Sequence, residues 1–175
     1  MTTDTNPITP ARVTAYETLG GAPGVRQLVS RFYALMDELP EAYAVRCLHP
    51  ESLQGSAQSL FEFLSGWLGG PPLYSEKKGH PRLRMRHSPY AIGPRVRDEW
   101  MLCMTQALTE QVADEAFRAQ LIQAFAQTAH HLLNTQGGGA CPAGHAGQHA
   151  PAWASLPGRS SAPETSSTTQ DQDPP

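Results

Sequence analysis

The apolar residues of this chain recur at the spacing of α-helices. Val25, Leu28, Val29, Phe32 and Met36 repeat at steps of three and four, which places them on one face of a helix. No stretch alternates apolar and polar residues over the length of a strand. The predicted helices are Val13–Leu19, about Pro23–Asp37, Ala42–Leu48, a helix from a cap at Ser52 or Ser56 to Leu68, Val96–Leu108, and about Asp114–Asn134. The pattern predicts an all-α fold of two long helix pairs, with short helices and a long loop between them.

The stretch from Leu73 to Gly93 breaks this helical pattern. It contains Pro81 and Pro89, and we predict an irregular segment with one turn around Leu83–Arg86. A long, poorly helical segment inside a compact domain is usually functional. This loop is therefore the first place to look for a site.

Composition divides the chain into three parts. Residues 1–11 are rich in Thr and Pro and are predicted to be flexible. Residues 12–135 carry the helical pattern and are numerous enough to bury a substantial core. Residues 136–175 are rich in Gly, Pro, Ser, Thr and Gln, a composition that cannot form a packed core, so we predict a disordered tail.

The charge and cysteine content exclude several classes of protein. A formal net charge of −3 gives no reason to expect a nucleic-acid partner. No run of eighteen apolar residues or signal peptide occurs, which argues against a membrane protein. Cys47, Cys103 and Cys141 are odd in number and widely spaced. This favours free thiols in a reducing, cytoplasmic compartment.

The candidate chemistry lies in the segment GHPRLRMRH (79–87). Seven of the 13 Lys and Arg residues fall between Lys77 and Arg97, and His87 ends the densest part of that cluster. A neutral imidazole binds haem iron, and guanidinium groups suit the carboxylates of a haem edge. A solvated basic surface and a phosphate contact are the alternatives. Apolar helices carrying Trp67 and Trp100 flank the segment, so His87 is expected beside an apolar cleft.

Five segments of the chain resemble the group II truncated haemoglobins of bacteria. They are YETLGG (16–21), RFYALMDELPEA (31–42), FLSGWLGGPPLY (63–74), GHPRLRMRH (79–87) and RDEWMLCM (97–104). The resemblance runs from about Tyr16 to Asn134. It implies a two-over-two helical sandwich, a shortened globin in which a loop and one turn replace the helix that carries the iron ligand.

The resemblance implies which residues face each side of the haem. It places the proximal ligand, and therefore the metal contact, at His87. It places Tyr33 and Trp100 in the distal pocket as phenol and indole donors to a bound ligand. Arg84 and Arg86 suit pairing with the haem propionates and solvated charge equally well.

Further positions of the distal side follow from the same resemblance. His49 falls at the turn after a short helix, where the family has Tyr, Phe or His. Ser56 falls where many ordinary globins have the distal histidine, and Leu60 lies one turn further along. Because Ser56 is small, hydrogen bonding to a bound ligand is expected to come from Tyr33, His49 and Trp100. Trp67 is expected to pack in the core or against the haem edge.

The resemblance implies a protein with haem b (iron protoporphyrin IX) that binds O2, NO and CO reversibly at a histidine-ligated iron. Several donors around a partly anionic ligand imply slow release, which suits redox chemistry, detoxification or sensing better than bulk oxygen transport. The alternative is an enzyme, a peroxidase or an oxidant of nitric oxide, that uses an external reductase. A haem-free helical scaffold is a third possibility. A monomer or a homodimer is expected.

Overall fold

The computed structural model describes residues 13–137, which fold into eight α-helices and contain no strand. The helices are α1 (Ala15–Thr18), α2 (Gly21–Glu38), α3 (Tyr43–Cys47), α4 (Gln54–Trp67), α5 (Leu73–Lys78), α6 (Leu83–His87), α7 (Pro94–Gln111) and α8 (Glu115–His131), with a short 3-10 turn, Pro40–Ala42, before α3. α2 packs against both α4 and α7, and α7 packs against α8. The all-α prediction is confirmed, and the long helices form the expected two-over-two arrangement.

α2 is the helix at the centre of this fold. Gly20 precedes it in the left-handed region at φ 100°, a conformation that glycine adopts without steric penalty. The predicted apolar face is buried, and Val25, Leu28 and Phe32 are each 0% exposed. Burying an apolar side chain of this size stabilises the fold by about 1.5–3 kcal/mol. Because Tyr33 follows Phe32 directly, the same helix carries its phenol into the interior.

The ends of α4 and α8 differ in part from the prediction. Leu53 occupies the N-cap of α4 without a side-chain hydrogen bond, so the prediction that Ser52 or Ser56 caps this helix is wrong. α8 begins as predicted, because the carboxylate of its N-cap, Asp114, accepts a backbone N–H from the first turn. It ends at His131, however, so Asn134 lies beyond the helix rather than at its last position.

The stretch Leu73–Gly93 is more helical than predicted. α6 is the expected single turn, but α5 contradicts the prediction that the preceding residues are irregular. Pro72 occupies the N-cap of α5, and Pro81 lies ahead of α6. Neither proline therefore interrupts a helix, since a proline removes a helical hydrogen bond only from the second turn onward.

Two of the three cysteines fall within the described range. Cys103 is a free thiol and is 0% exposed. Cys47 is disulfide-bonded, so the expectation of free thiols is wrong for this residue. Cys141 lies outside the described residues.

Two of the predicted parts fall mostly outside the described range. The flexible segment 1–11 lies wholly outside it, and the predicted tail 136–175 lies outside it beyond residue 137. Among residues 13–137, no helix is long and apolar enough to cross a membrane.

Candidate functional site

His87 is the last residue of α6, and its side chain is half-buried. Its Nδ1 lies 2.8 Å from the carbonyl oxygen of Leu83, one turn back along the helix. A carbonyl can only accept a hydrogen bond, so Nδ1 carries a proton, and in the neutral ring the lone pair is therefore on Nε2. Metal-binding histidines are usually held in this way through the nitrogen that does not touch the metal. Nε2 of His87 is therefore the ring nitrogen that is available to a metal.

Side chains of the surrounding loop hold α6 in place. Arg82, the N-cap of α6, lies in the left-handed region at φ 43°, and its N–H donates to Nδ1 of His80 at 3.2 Å. Arg86 donates from Nε to the carbonyl of Pro81 at 3.1 Å and from a terminal nitrogen to the carbonyl of Lys78 at 3.2 Å. His80 thus has a structural place in the loop. The guanidinium of Arg86 is part of the frame around the candidate ligand.

Arg84 has a different environment from Arg86. It is exposed, and its guanidinium makes no hydrogen bond or ion pair with another residue of 13–137. It lines an open surface groove of about 620 Å³ together with Tyr90, Leu132 and Asn134. None of the predicted distal residues lines this groove. Of the two arginines proposed for the propionates, Arg84 is therefore the one whose charge is available.

Tyr33 supplies a buried phenol from α2. Its ring packs edge-on against Phe32, with ring centroids 4.8 Å apart, and against His49 at 5.7 Å. Burial raises the pKa of the Tyr33 phenol above its ordinary value, so the hydroxyl remains protonated at neutral pH. The side chain of Ser56 lies close enough to this hydroxyl to oppose part of that rise. The sequence did not indicate that Ser56 is a polar neighbour of the phenol.

His49 is held in the same way as His87. Its Nδ1 lies 2.9 Å from the carbonyl oxygen of Val45, so this nitrogen donates and Nε2 is left as an acceptor. Burial lowers the pKa of His49, the hydrogen bond to Val45 partly offsets this, and the positive charge of Arg46 lowers the pKa further. The ring is therefore neutral at pH 7. In this orientation Nε2 of His49 can accept a hydrogen bond but cannot donate one.

A buried carboxylate fixes the segment that carries His49. Oε2 of Glu99 accepts the backbone N–H of Val45 at 2.9 Å, and Oε1 accepts from Nε of Arg95 at 2.8 Å. Glu99 therefore joins α3 to α7, the helix of Trp100. The sequence shows Glu99 four residues after Arg95, which is the spacing of an ordinary surface ion pair. Nothing local in the sequence points to the contact with α3.

The predicted aromatic residues form one packed group. Trp100 is half-buried between Phe32, with ring centroids 5.1 Å apart, and Phe125, at 6.0 Å. Trp67 also packs on Phe125, with ring centroids 4.8 Å apart. Leu60 is partly buried against the same core. Trp67 and Leu60 thus both pack against the core, and a role of Leu60 on the distal side stays a prediction.

The residues present fit a haem group. The set offers a neutral imidazole whose Nε2 is free, a phenol that stays protonated, and half-buried aromatic and aliphatic surface for a porphyrin. An apolar pocket with a few placed donors is what a haem site requires. The buried carboxylate of Glu99 is not left unpaired near the site, because both of its oxygens accept hydrogen bonds, one from the N–H of Val45 and one from Arg95.

The two-over-two helices and a histidine at the end of a single turn are the features of a truncated globin. The chain matches the family model described as bacterial-like globin over residues 14–134, and it belongs to that family. It is therefore a haem-binding globin. The resemblance to the group II truncated haemoglobins is confirmed by the relatives that follow.

Three relatives illustrate the similarity. The Group 2 truncated hemoglobin YjbI of Bacillus subtilis is 35% identical over 119 residues, which are 68% of this chain and 87% of that protein. The structure of the Group II 2-on-2 hemoglobin from the plant pathogen Agrobacterium tumefaciens is similar with a TM-score of 0.69 at 45% identity, covering 72% of this chain and 98% of that one. The structure of the truncated oxygen-avid haemoglobin from Bacillus subtilis has a TM-score of 0.63 at 35% identity, covering 69% of this chain and 99% of that one.

Proposed function

We propose that this globin binds haem b through Nε2 of His87 and reversibly binds O2, CO and NO on the opposite side of the haem. The observation that carries the proposal is the Nδ1 hydrogen bond from His87 to Leu83, which leaves Nε2 as a neutral ligand. When bound, the haem supplies an iron with an open position for a diatomic ligand. The oxygen-avid character stated for the Bacillus subtilis structure supports O2 as the main ligand.

Tyr33 and Trp100 are the proposed donors to the ligand. O2 held by a ferrous haem takes on partial negative charge, so an O–H and an N–H in a dry pocket stabilise it and slow its release. Tyr33 is suited to this role because its phenol stays protonated and because the hydroxyl of Ser56 lies beside it. Each such hydrogen bond contributes on the order of 1.5–3 kcal/mol.

His49 has a separate place in this proposal. Its Nδ1 donates to the carbonyl oxygen of Val45 and its ring is neutral. In the pocket His49 can therefore only accept a hydrogen bond, and it is not a third donor. Its free Nε2 also makes it the candidate for a sixth iron ligand when no gas is bound. A six-coordinate spectrum that His49→Phe converts to a five-coordinate one would support that assignment.

Slow release determines the physiological class that we propose. Two donors around O2 favour redox chemistry, detoxification or sensing over bulk oxygen transport. An enzyme that oxidises nitric oxide or reduces peroxide with an external reductase is the second candidate. It is separated from a simple binder by mixing the oxygenated protein with nitric oxide and measuring nitrate over many turnovers with an added reductant.

The test of the proposal is O2 dissociation from the ferrous, haem-loaded protein. We expect Tyr33→Phe and Trp100→Phe each to release O2 roughly ten- to a hundredfold faster, if the lost hydrogen bond appears wholly in the off-rate. Trp67→Phe is the matched control, because this tryptophan packs on Phe125 and is expected to touch no ligand. Unchanged rates in both distal variants and in their double variant would reject the donor roles. A purified protein without haem absorption would reject the function.

A further inference from the structure

We propose that Asn134 is a positioning residue for the iron ligand His87, holding its backbone from the end of α8. The inference rests on the proposed function, since it concerns the ligand of that same site. Asn134 lies three residues beyond α8 and 47 positions from His87, yet its side chain reaches the carbonyl of His87.

Both the nitrogen and the oxygen of the Asn134 side-chain amide make hydrogen bonds to the same loop. Nδ2 donates to the carbonyl oxygen of Tyr90 at 2.8 Å and to that of His87 at 3.3 Å. Oδ1 accepts the N–H of Ile92 at 2.9 Å. The backbone N–H of Asn134 donates to the carbonyl of Ile92 at 3.1 Å. One residue therefore holds the backbone of the proposed iron ligand and of two positions that follow it, Tyr90 and Ile92.

Only an asparagine satisfies this set of partners in place. The carbonyls of His87 and Tyr90 only accept, so the two hydrogens of an NH2 group must face them, whereas the N–H of Ile92 needs an oxygen. Aspartate would place an oxygen against the two carbonyls. Glutamine would extend the amide by one methylene beyond the loop.

The close approach of the two segments is a separate observation. A Cβ built on Gly93 would overlap the carbonyl oxygen of Gly137, and Gly93 itself is buried. The chain after α8 thus lies directly on the loop that leaves His87, and a glycine leaves the space for it. Asn134 joins the two segments by hydrogen bonds, and Gly93 permits their close approach because it has no side chain.

The two ends of His87 are then fixed by different elements. The ring is held at Nδ1 by Leu83 within α6, and the carbonyl is held by the N–H of Tyr90 at 3.1 Å and by Asn134. A ligand that approaches iron through Nε2 needs both its ring plane and its backbone to be set. Loss of Asn134 is expected to leave the ring bond in place and to free the backbone.

The experiment compares Asn134→Ala and Asn134→Asp with the natural protein, with Gln136→Ala as control. Gln136 is exposed two residues further on, and its side chain makes no hydrogen bond with the loop within residues 13–137. The readouts are the iron–imidazole stretching band of the ferrous protein by resonance Raman and the rate of haem transfer to an excess of apomyoglobin. We expect both Asn134 variants to shift or broaden the band and to lose haem roughly threefold to tenfold faster. The control should match the natural protein.

A second variant keeps the inference testable if the Asn134 variants do not fold. Gly93→Ala leaves the amide intact but separates the two segments, and we expect the same change in the band. An unchanged band and haem-transfer rate in Asn134→Ala and Gly93→Ala would overturn the inference, even if both variants melt at lower temperature. The proposed function itself fails if the natural protein shows no iron–imidazole band or if His87→Gly leaves that band in place. Failure of the inference about Asn134 is different, because the band is then present and the Asn134 variants leave it unchanged.

Discussion

The carboxylate of Glu99 and the backbone N–H of Val45 are joined by a hydrogen bond of 2.9 Å across 54 positions of sequence. Val45 lies in the first turn of α3, where backbone N–H groups lack a partner within the helix. Glu99 supplies that partner and places a negative charge near the start of the helix, where the helix dipole favours it. A side chain of α7 therefore completes the short helix that leads to His49.

Replacing Glu99 with alanine should lower the free energy of unfolding by about 1–3 kcal/mol, because it leaves the buried N–H of Val45 without a partner. Urea unfolding of the haem-loaded protein measures this change. Arg95→Ala is the control, since its side chain is 63% exposed and its ion pair with Glu99 should contribute less than about 1 kcal/mol. An equal loss in the two variants would mean that the ion pair, rather than the contact with α3, carries the effect.

Replacing His87 with glycine should abolish five-coordinate ferrous haem, because it removes the nitrogen proposed to bind iron. Free imidazole added to His87→Gly should restore the spectrum by occupying the vacated space. His80→Ala is the control, because His80 accepts a hydrogen bond from the Arg82 backbone and is not the proposed ligand. Normal haem content and absorption in His87→Gly without imidazole would reject the assignment.

Replacing Ser56 with alanine should speed O2 release, because the Tyr33 phenol loses the neighbouring hydroxyl that we propose orients it. We expect a change of roughly twofold to tenfold in the off-rate, smaller than that of Tyr33→Phe. Ser56→Thr keeps the hydroxyl and should stay near the natural rate. In a Tyr33→Phe background, Ser56→Ala should have little further effect, and independent effects of the two substitutions would show that Ser56 acts by another route.

Glu62 gives the fold a defined response to acid. Its buried carboxylate accepts from Nζ of Lys77 at 2.6 Å and from Nε2 of Gln58 at 2.8 Å. The hydrogen bond from Lys77 is the main reason that the pKa of Glu62 lies below the ordinary value of 4.5. Since the folded protein holds this proton less tightly than the unfolded chain, the stabilisation is present above the ordinary pKa and is lost as the pH falls below it.

Glu62→Gln should therefore melt at lower temperature than the natural protein at pH 7, and the difference should shrink as the pH falls below the ordinary pKa of 4.5. Thermal unfolding followed by circular dichroism at a series of pH values measures it. Glu76→Gln, on the exposed surface of α5, should show no such pH-dependent difference. A difference that persists unchanged in acid would show that shape rather than charge stabilises the contact.

The parts of the fold that the sequence predicts are those whose signals lie within one element. The apolar face of α2 and the Asp114 cap of α8 each need only a few neighbouring residues to be recognised. α5 is missed because prolines at positions 71 and 72 end one helix and also permit the next to begin. The end of α8 is missed because the apolar spacing continues through Leu132, although the helix ends at His131.

The candidate site shows the same division. His87, Tyr33 and Trp100 stand in motifs of neighbouring residues, so a family resemblance can place them. The contacts of Ser56, Glu99 and Asn134 join residues far apart in the chain, and their side chains look like ordinary surface polar groups in the sequence. Only the packing of α3, α7 and the chain after α8 around the site brings them to their partners.

The burial of Cys103 determines how readily its thiol reacts. The thiol is 0% exposed on α7, and burial raises its pKa to about 11. Peroxide and alkylating reagents react with the thiolate, which is scarce at such a pKa, and they must also reach the sulfur. Modification of Cys103 therefore requires α7 to open from the core, and the rate of modification reports that opening. Cys103 lies about one turn from Trp100, so its thiol is unreactive although it is close to a proposed donor to the bound ligand.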